Sequence, residues 1–276
     1  MKNNETIKEK HHDFHLVDPS PWPIMASLSL FVLACGGVLF MHNYKIGHIF
    51  LPMGGIMVFF TMFVWWRDVV KEGILDKAHT EIVRKGLRIG MALFILSEVM
   101  FFIAFFASYF KAELFPVSIL DGVWSIKNAA WPPHEIAKID AWNLPLMNTL
   151  ILLLSATTVT WAHYALLENN QQDVIKGLLI TVLLGITFSF IQAFEYYHAP
   201  FKFTDGVFPS NFYMATGFHG AHVIIGTIFL AVCLFRAKRG DFALGNGHLG
   251  FEFAAWYWHF VDVVWLFLFV FVYVWS

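Results

Sequence analysis

Charge is scarce in this sequence. Asp, Glu, Lys and Arg supply 14% of the 276 residues, whereas a water-soluble domain carries about 25%. Such a chain cannot clothe a water-facing surface, and a soluble globular fold is excluded. A basic excess is missing too. The formal net charge of -2 leaves no electrostatic footprint for nucleic acid, so no such partner is expected. Cysteine is nearly absent: Cys35 and Cys233 both lie inside apolar runs. They read as small buried hydrophobes and support neither a disulfide framework nor a Cys-based metal site. The polar, mixed-charge stretch Met1–Pro19 lacks the basic start and short apolar core of a cleaved signal peptide, so the first apolar run is read as a retained span. Walker loop, dinucleotide fingerprint, HExxH and nucleophile elbow are also missing.

What remains is apolar: 58% of residues are hydrophobic and 18% aromatic. A bilayer core about 30 Å thick takes roughly 20 apolar helical residues. Seven segments meet that demand: Pro21–His42, His48–Trp66, Gly86–Phe110, Leu144–Leu166, Val174–His198, Ser210–Arg236 and Phe251–Trp275. Leu150–Leu154 and Val263–Tyr273 are apolar on every side, which suits helices and not the alternating strands of a membrane barrel. The sequence therefore predicts an all-α integral membrane protein. Its expected parts are a tail over 1–20, a two-helix hairpin over 21–66 with its turn near Asn43–Gly47, a connector over 67–85, and five spans within 86–276 that include a long loop over 111–143. Lys and Arg concentrate on alternate connectors: the N-terminal tail, Arg67–Arg88, the Lys176 turn and Arg236–Arg239. The positive-inside rule puts these inside and the C-terminus outside.

Ionisable residues at membrane depth are functional candidates. Glu98 lies twelve positions from either end of the third predicted span. It reads either as a proton-linked, reactive carboxyl or as a neutral acid bonded to a neighbouring helix. His219 and His222 on the sixth span, and His259 and Asp262 on the seventh, are spaced i,i+3 and share helix faces. Counting helical rise brings all four near the depth of Glu98, which predicts a polar layer across spans three, six and seven. Glu195 and His198 have a spacing seen in di-iron bundles, but a second such pair is lacking, so no metal site is expected. Arg67, Asp68, Lys71, Glu72, His79, Arg236, Lys238 and Arg239 flank spans where lipid head groups lie.

Several strings carry a family resemblance: SEVMFF at Ser97–Phe102, NTLILLLS at Asn148–Ser155, TWAH at Thr160–His163, QAFEYYH at Gln192–His198, ATGFHGAHVIIG at Ala215–Gly226 and GFEFAAWYWHFVDVVWLF at Gly250–Phe267. With Trp22-Pro23 and WWRD at Trp65–Asp68, they resemble subunit III of cytochrome c oxidase over nearly the whole chain. The resemblance implies a subunit of a proton-translocating oxidase of aerobic respiration, in a bacterial cytoplasmic or mitochondrial inner membrane. It implies no catalytic residue, redox centre, metal or cofactor in this chain. Haem and copper belong to partner subunits. Direct packing on subunit I, association with subunit II and a link to cytochrome c through the complex follow, as do stabilisation of subunit I and support of proton uptake. The implied fold sets the first two spans apart from the other five across a V-shaped cleft holding phospholipids. Glu98 matches the family's carbodiimide-reactive glutamate, and Trp66, Arg67, Glu72, His79, His219 and Arg236 match positions near the lipids. Tyr164 stands where the family often has His, and Ala107 where it often has Trp. The alternatives are the corresponding subunit of a quinol oxidase or of a nitric-oxide-reductase-associated homologue, which usually lacks the first two spans, and an independent transporter, which favours broken helices.

Overall fold

A computed structural model describes residues 19–74, 79–115, 131–132, 136–242 and 248–275. Among them stand seven long helices: α1 (Trp22–Met41), α2 (Gly47–Ile74), α3 (Glu81–Leu114), α4 (Leu144–Leu167), α5 (Gln171–His198), α6 (Val207–Lys238) and α7 (Leu249–Leu268), the last continuing as a π-helical stretch, Phe269–Val274. All seven are long and apolar enough to cross a membrane, and no strand occurs among the described residues. This is the all-α membrane fold expected from the apolar runs. In hydrocarbon, a helix satisfies its own backbone hydrogen bonds, which is why these runs take that form.

The helices outrun the predicted spans. α2 continues to Ile74 and α3 begins at Glu81, so most of the connector expected over 67–85 is helical. The reason is that bilayer thickness limits the apolar run, not the helix. Arg67, Lys71, Glu72, Arg84 and Lys85 are good helix formers that carry the helix past the end of the apolar run. The tail over 1–18, including Lys2, Lys8 and Lys10, lies outside the described residues. So do residues 116–130 and 133–135 of the long loop, and Lys77.

The chain divides into two compact units, Met1–Gly86 and Leu87–Ser276. In the first, α1 and α2 form a hairpin whose backbones touch. A Cβ on Gly36 would lie 2.5 Å from the Leu51 nitrogen, and one on Gly54 would lie 2.5 Å from the Leu33 Cα. α1 ends in a left-handed cap at Asn43 (φ 59°), where the Tyr44 N–H reaches the Leu39 carbonyl at 3.0 Å and the Asn43 N–H that of Phe40 at 3.0 Å. This pairing absorbs carbonyls a helix end leaves unpaired. At the open end of the hairpin, Trp22 Nε1 donates to Asp68 Oδ2 at 2.9 Å.

In the second unit α7 touches every other helix. Trp258, fully buried, nests against two glycines: a Cβ on Gly185 would approach its Cη2 to 2.8 Å, and one on Gly226 its Cε3 to 2.9 Å. Its Nε1 donates to Ser155 on α4 at 2.9 Å, and two turns on Trp265 donates to Thr149 at 2.9 Å. Each indole thus fills space and finds an acceptor, as a buried Trp requires. α4 and α5 join through a second left-handed cap at Asn169 (φ 58°), after which Asn170 caps α5 by accepting from the Asp173 N–H at 3.3 Å. Trp131 packs between the rings of Tyr109 and Phe208 at 5.6 and 5.5 Å.

Candidate functional site

Glu98 sits on α3 and His222 on α6, and the structure joins them. His222 Nε2 lies 2.9 Å from Glu98 Oε2, while His222 Nδ1 lies 2.7 Å from the Phe218 carbonyl oxygen. A carbonyl only accepts, so Nδ1 carries a proton. Two arrangements then satisfy the short Nε2–Oε2 contact. Either a neutral carboxyl donates to a neutral ring, or an imidazolium donates to a carboxylate. A carboxylate facing an imidazole lone pair is ruled out by the distance. In both arrangements one proton lies in the bond and the pair is neutral overall, as a low-dielectric surrounding demands. Phe102 and Tyr257 enclose the ring at 4.9 and 6.3 Å between centroids. The Glu98 side chain remains 23% exposed, so an apolar reagent has a way to reach it.

The remaining members of the expected polar layer part company. His259 turns toward α4, with Nε2 3.3 Å from Thr160 Oγ1. Asp262 is buried with Oδ1 unpartnered. His219 is 0% exposed; Nε2 lies 3.1 Å from the Val261 carbonyl oxygen and the ring packs 5.0 Å from Trp265 and 5.7 Å from Phe188. Its expected place beside lipid is therefore corrected: this ring is sealed among α5, α6 and α7. The i,i+3 spacing set the depth of these groups, but side-chain direction around each helix decided their partners.

Glu195 and His198 do not converge. Glu195 is buried, accepting from Tyr273 at 2.7 Å and from Gln192 at 3.3 Å, whereas exposed His198 bonds back to the Phe194 carbonyl at 2.9 Å. Among the described residues, no group of three or more His, Cys, Asp or Glu side chains is placed to hold a metal ion.

At the basic end of the second unit, Arg88 on α3 grips Glu252 on α7 through two bonds of 2.9 Å. Sequence reasoning counted Arg88 only as flanking charge. Its partner is 164 residues away, and no local pattern announces such a pair. Arg236 is largely engaged within its own unit. Its Cζ lies 5.2 Å over the Phe242 ring, Nε is 3.7 Å from Asp241 Oδ2, and a Cβ on Gly250 would meet Nη1 at 2.8 Å. The side chain is 14% exposed. Nearby, burial and the neighbouring His163 hold His248, at the entry to α7, below the usual imidazole range.

In the first unit Trp66 and Arg67 are exposed on the later turns of α2, and Arg67 Nη2 lies 3.4 Å from Asp68. Glu72 and His79 are half-buried. His79 closes on Gly73, where a Cβ would come within 2.7 Å of its Nδ1.

The family model for cytochrome c oxidase subunit III matches residues 12–276. A probable cytochrome c oxidase subunit 3 from Rickettsia bellii is 66% identical over 265 residues, covering 96% of each chain. Cytochrome c oxidase subunit 3 from the alga Prototheca wickerhamii is 53% identical over 267 residues, covering 97% of this chain and 99% of that one. The wheat protein of that name is 51% identical over 260 residues, or 94% and 95% of the two chains. With seven apolar helices and matches running almost end to end, this chain belongs to the cytochrome c oxidase subunit III family.

Proposed function

We propose that this chain is a non-redox core subunit of a proton-pumping cytochrome c oxidase, packing against subunit I, stabilising it and supporting proton uptake. Subunit II and, through the complex, cytochrome c complete the assembly, and haem and copper reside in the partner subunits. The observation that carries the reading is the use of the polar groups within the spans and at their ends. Glu98 with His222, Arg88 with Glu252 and Glu195 with Tyr273 each join two helices of this chain. Such groups brace a scaffold. Broad apolar surface, such as Leu93, Leu96, Met100 and Ile103 on α3, is left for lipid and partner helices. The basic ends lie inside by the positive-inside rule, with the N-terminus inside and the C-terminus outside. Trp66, Arg67, Glu72 and His79 hold phospholipid head groups at that face, Arg67 supplying the exposed cation.

Purification in mild detergent tests this. The chain is expected to co-migrate with a haem and copper chromophore, and to carry neither when separated from its partners. Haem or copper bound to the isolated chain would overturn the reading. Arg67→Ala is expected to lower tightly held phospholipid, measured by mass spectrometry of the intact complex.

A further inference from the structure

Of the buried polar atoms of the second unit that lack a partner, five belong to neighbouring turns of three helices: Asn148 Oδ1 and Nδ2, Gln192 Oε1, Glu195 Oε2 and His219 Nδ1. They come from α4, α5 and α6, and helix register brings Asn148, Gln192 and His219 to one level. The Thr158 and Thr181 hydroxyls meet at 2.7 Å, and Gly177 faces Ala162. Carried outward, that antiparallel register sets Asn148 opposite Ile191, next to Gln192. The Tyr196–Thr216 bond of 2.7 Å and the approach of Gly185 to Thr227 register α5 with α6, which sets His219 opposite Ala193. Trp265 of α7 closes the layer: it bonds Thr149, beside Asn148, and its ring packs 5.0 Å from that of His219. Glu195 stands one turn further out.

An unpartnered buried polar group costs about 1–3 kcal/mol, and native structures hold few of them. Turning the Asn148 amide over relieves nothing, because both its atoms are orphaned. The unmet demand is also one-sided. His219 Nε2 faces the Val261 carbonyl and so carries the ring proton, which leaves Nδ1 as an acceptor. Asn148 Oδ1 and Gln192 Oε1 accept as well. Only the Asn148 amide offers donors. Side chains short of donors cannot satisfy one another. A small molecule that donates twice and accepts twice can.

We infer that this layer is an internal hydration site, in which ordered water donates to Asn148, Gln192 and His219 and ties α4, α5 and α6 together beside Trp265. It is separate from the Glu98–His222 pair, and it adds a hydrogen-bonded joint where hydrocarbon gives helices little reason to associate.

A structure of the intact oxidase at a resolution that shows water decides this. Density bridging at least two of the four residues at hydrogen-bond distance is expected. Direct pairing of the amides and the imidazole with nothing between them overturns the inference, as does a peak held at the shorter contacts of a metal cation. Asn148→Leu gives an independent readout. Replacing a dry, unsatisfied amide with a similar-sized apolar group is neutral or stabilising. Replacing a hydrated one should lower the temperature at which this subunit leaves the complex by several degrees, and an unchanged or raised temperature overturns the site. Should that variant fail to assemble, hydroxyl-radical footprinting of the native complex serves. Rapid labelling of Trp265 or Tyr273 relative to Trp258, whose indole is already bonded to Ser155, supports the site, and equal protection of all three removes it.

Discussion

Between α4 and α5 the backbones meet at Gly177, where a Cβ would stand 2.8 Å from that of Ala162 and 3.1 Å from the Thr158 carbonyl oxygen. Between α3 and its neighbours α6 and α7, rings fill the space instead: Phe101 on Phe218, Phe102 on Phe260, Phe106 on Phe267 and Phe110 on Phe271, all at 5.1–6.2 Å between centroids. The first seam draws on close van der Waals approach, the main source of helix association where the solvent is itself apolar. The second keeps the backbones apart and adds polar ties at intervals: Arg88 to Glu252, Glu98 to His222, and Tyr109 to the Phe271 carbonyl at 3.0 Å. The difference teaches that a helix too bulky to come close can still be fixed if bonds pin its rotation and height. It also separates what each seam tolerates. The close one fails on added volume, whereas the wide one should fail only as its ties are cut.

Gly177→Val tests the close seam and should have the largest effect. Its added methyls meet backbone on α4, and overpacking of this kind costs about 1–3 kcal/mol or more. Markedly less assembled subunit on native gels is expected, while Gly90→Val, at an α3 glycine with open space around it, should assemble normally. Next comes the Arg88–Glu252 tie. Arg88 is 47% exposed, so a double-mutant cycle with Arg88→Ala and Glu252→Ala should yield a coupling of only about 0.5–1 kcal/mol in subunit dissociation. Tyr109→Phe keeps the ring and removes one hydrogen bond, for an expected loss near 0.6 kcal/mol by the same assay. Glu98→Gln should change stability least, because the amide can still donate to His222. Assembly and electron transfer should persist while carbodiimide labelling of the chain disappears. A large stability loss in this last variant would erase the distinction between ties that pin and volume that packs.

The seven spans were legible because an uninterrupted apolar run of membrane length has few other uses. Helix ends were less so: Arg67–Glu72 and Glu81–Lys85 look like connectors to a rule that counts hydrocarbon, yet they are helix formers. The site was legible in depth but not in direction. Glu98 and His222 were matched by counting rise. That His219, three residues earlier, would turn inward to Val261 while His222 faces α3 depends on how α6 is rotated by its glycines and by Trp258. Arg236 illustrates a different limit. Its flanking position was plain in the sequence, whereas its engagement by Phe242, Asp241 and Gly250 depends on how the chain turns back after the left-handed cap at Gly240.

The neutrality of the Glu98–His222 bond also bears on the electric field that any energised membrane imposes. A full charge carried across the bilayer exchanges about 2.3 kcal/mol with each 100 mV. A proton hopping within a 2.9 Å bond traverses at most about a tenth of the roughly 30 Å core, which limits the work to about 0.2 kcal/mol. The proton can therefore sit on either partner almost without regard to voltage. A joint made in this way holds equally well in a resting and in a fully polarised membrane.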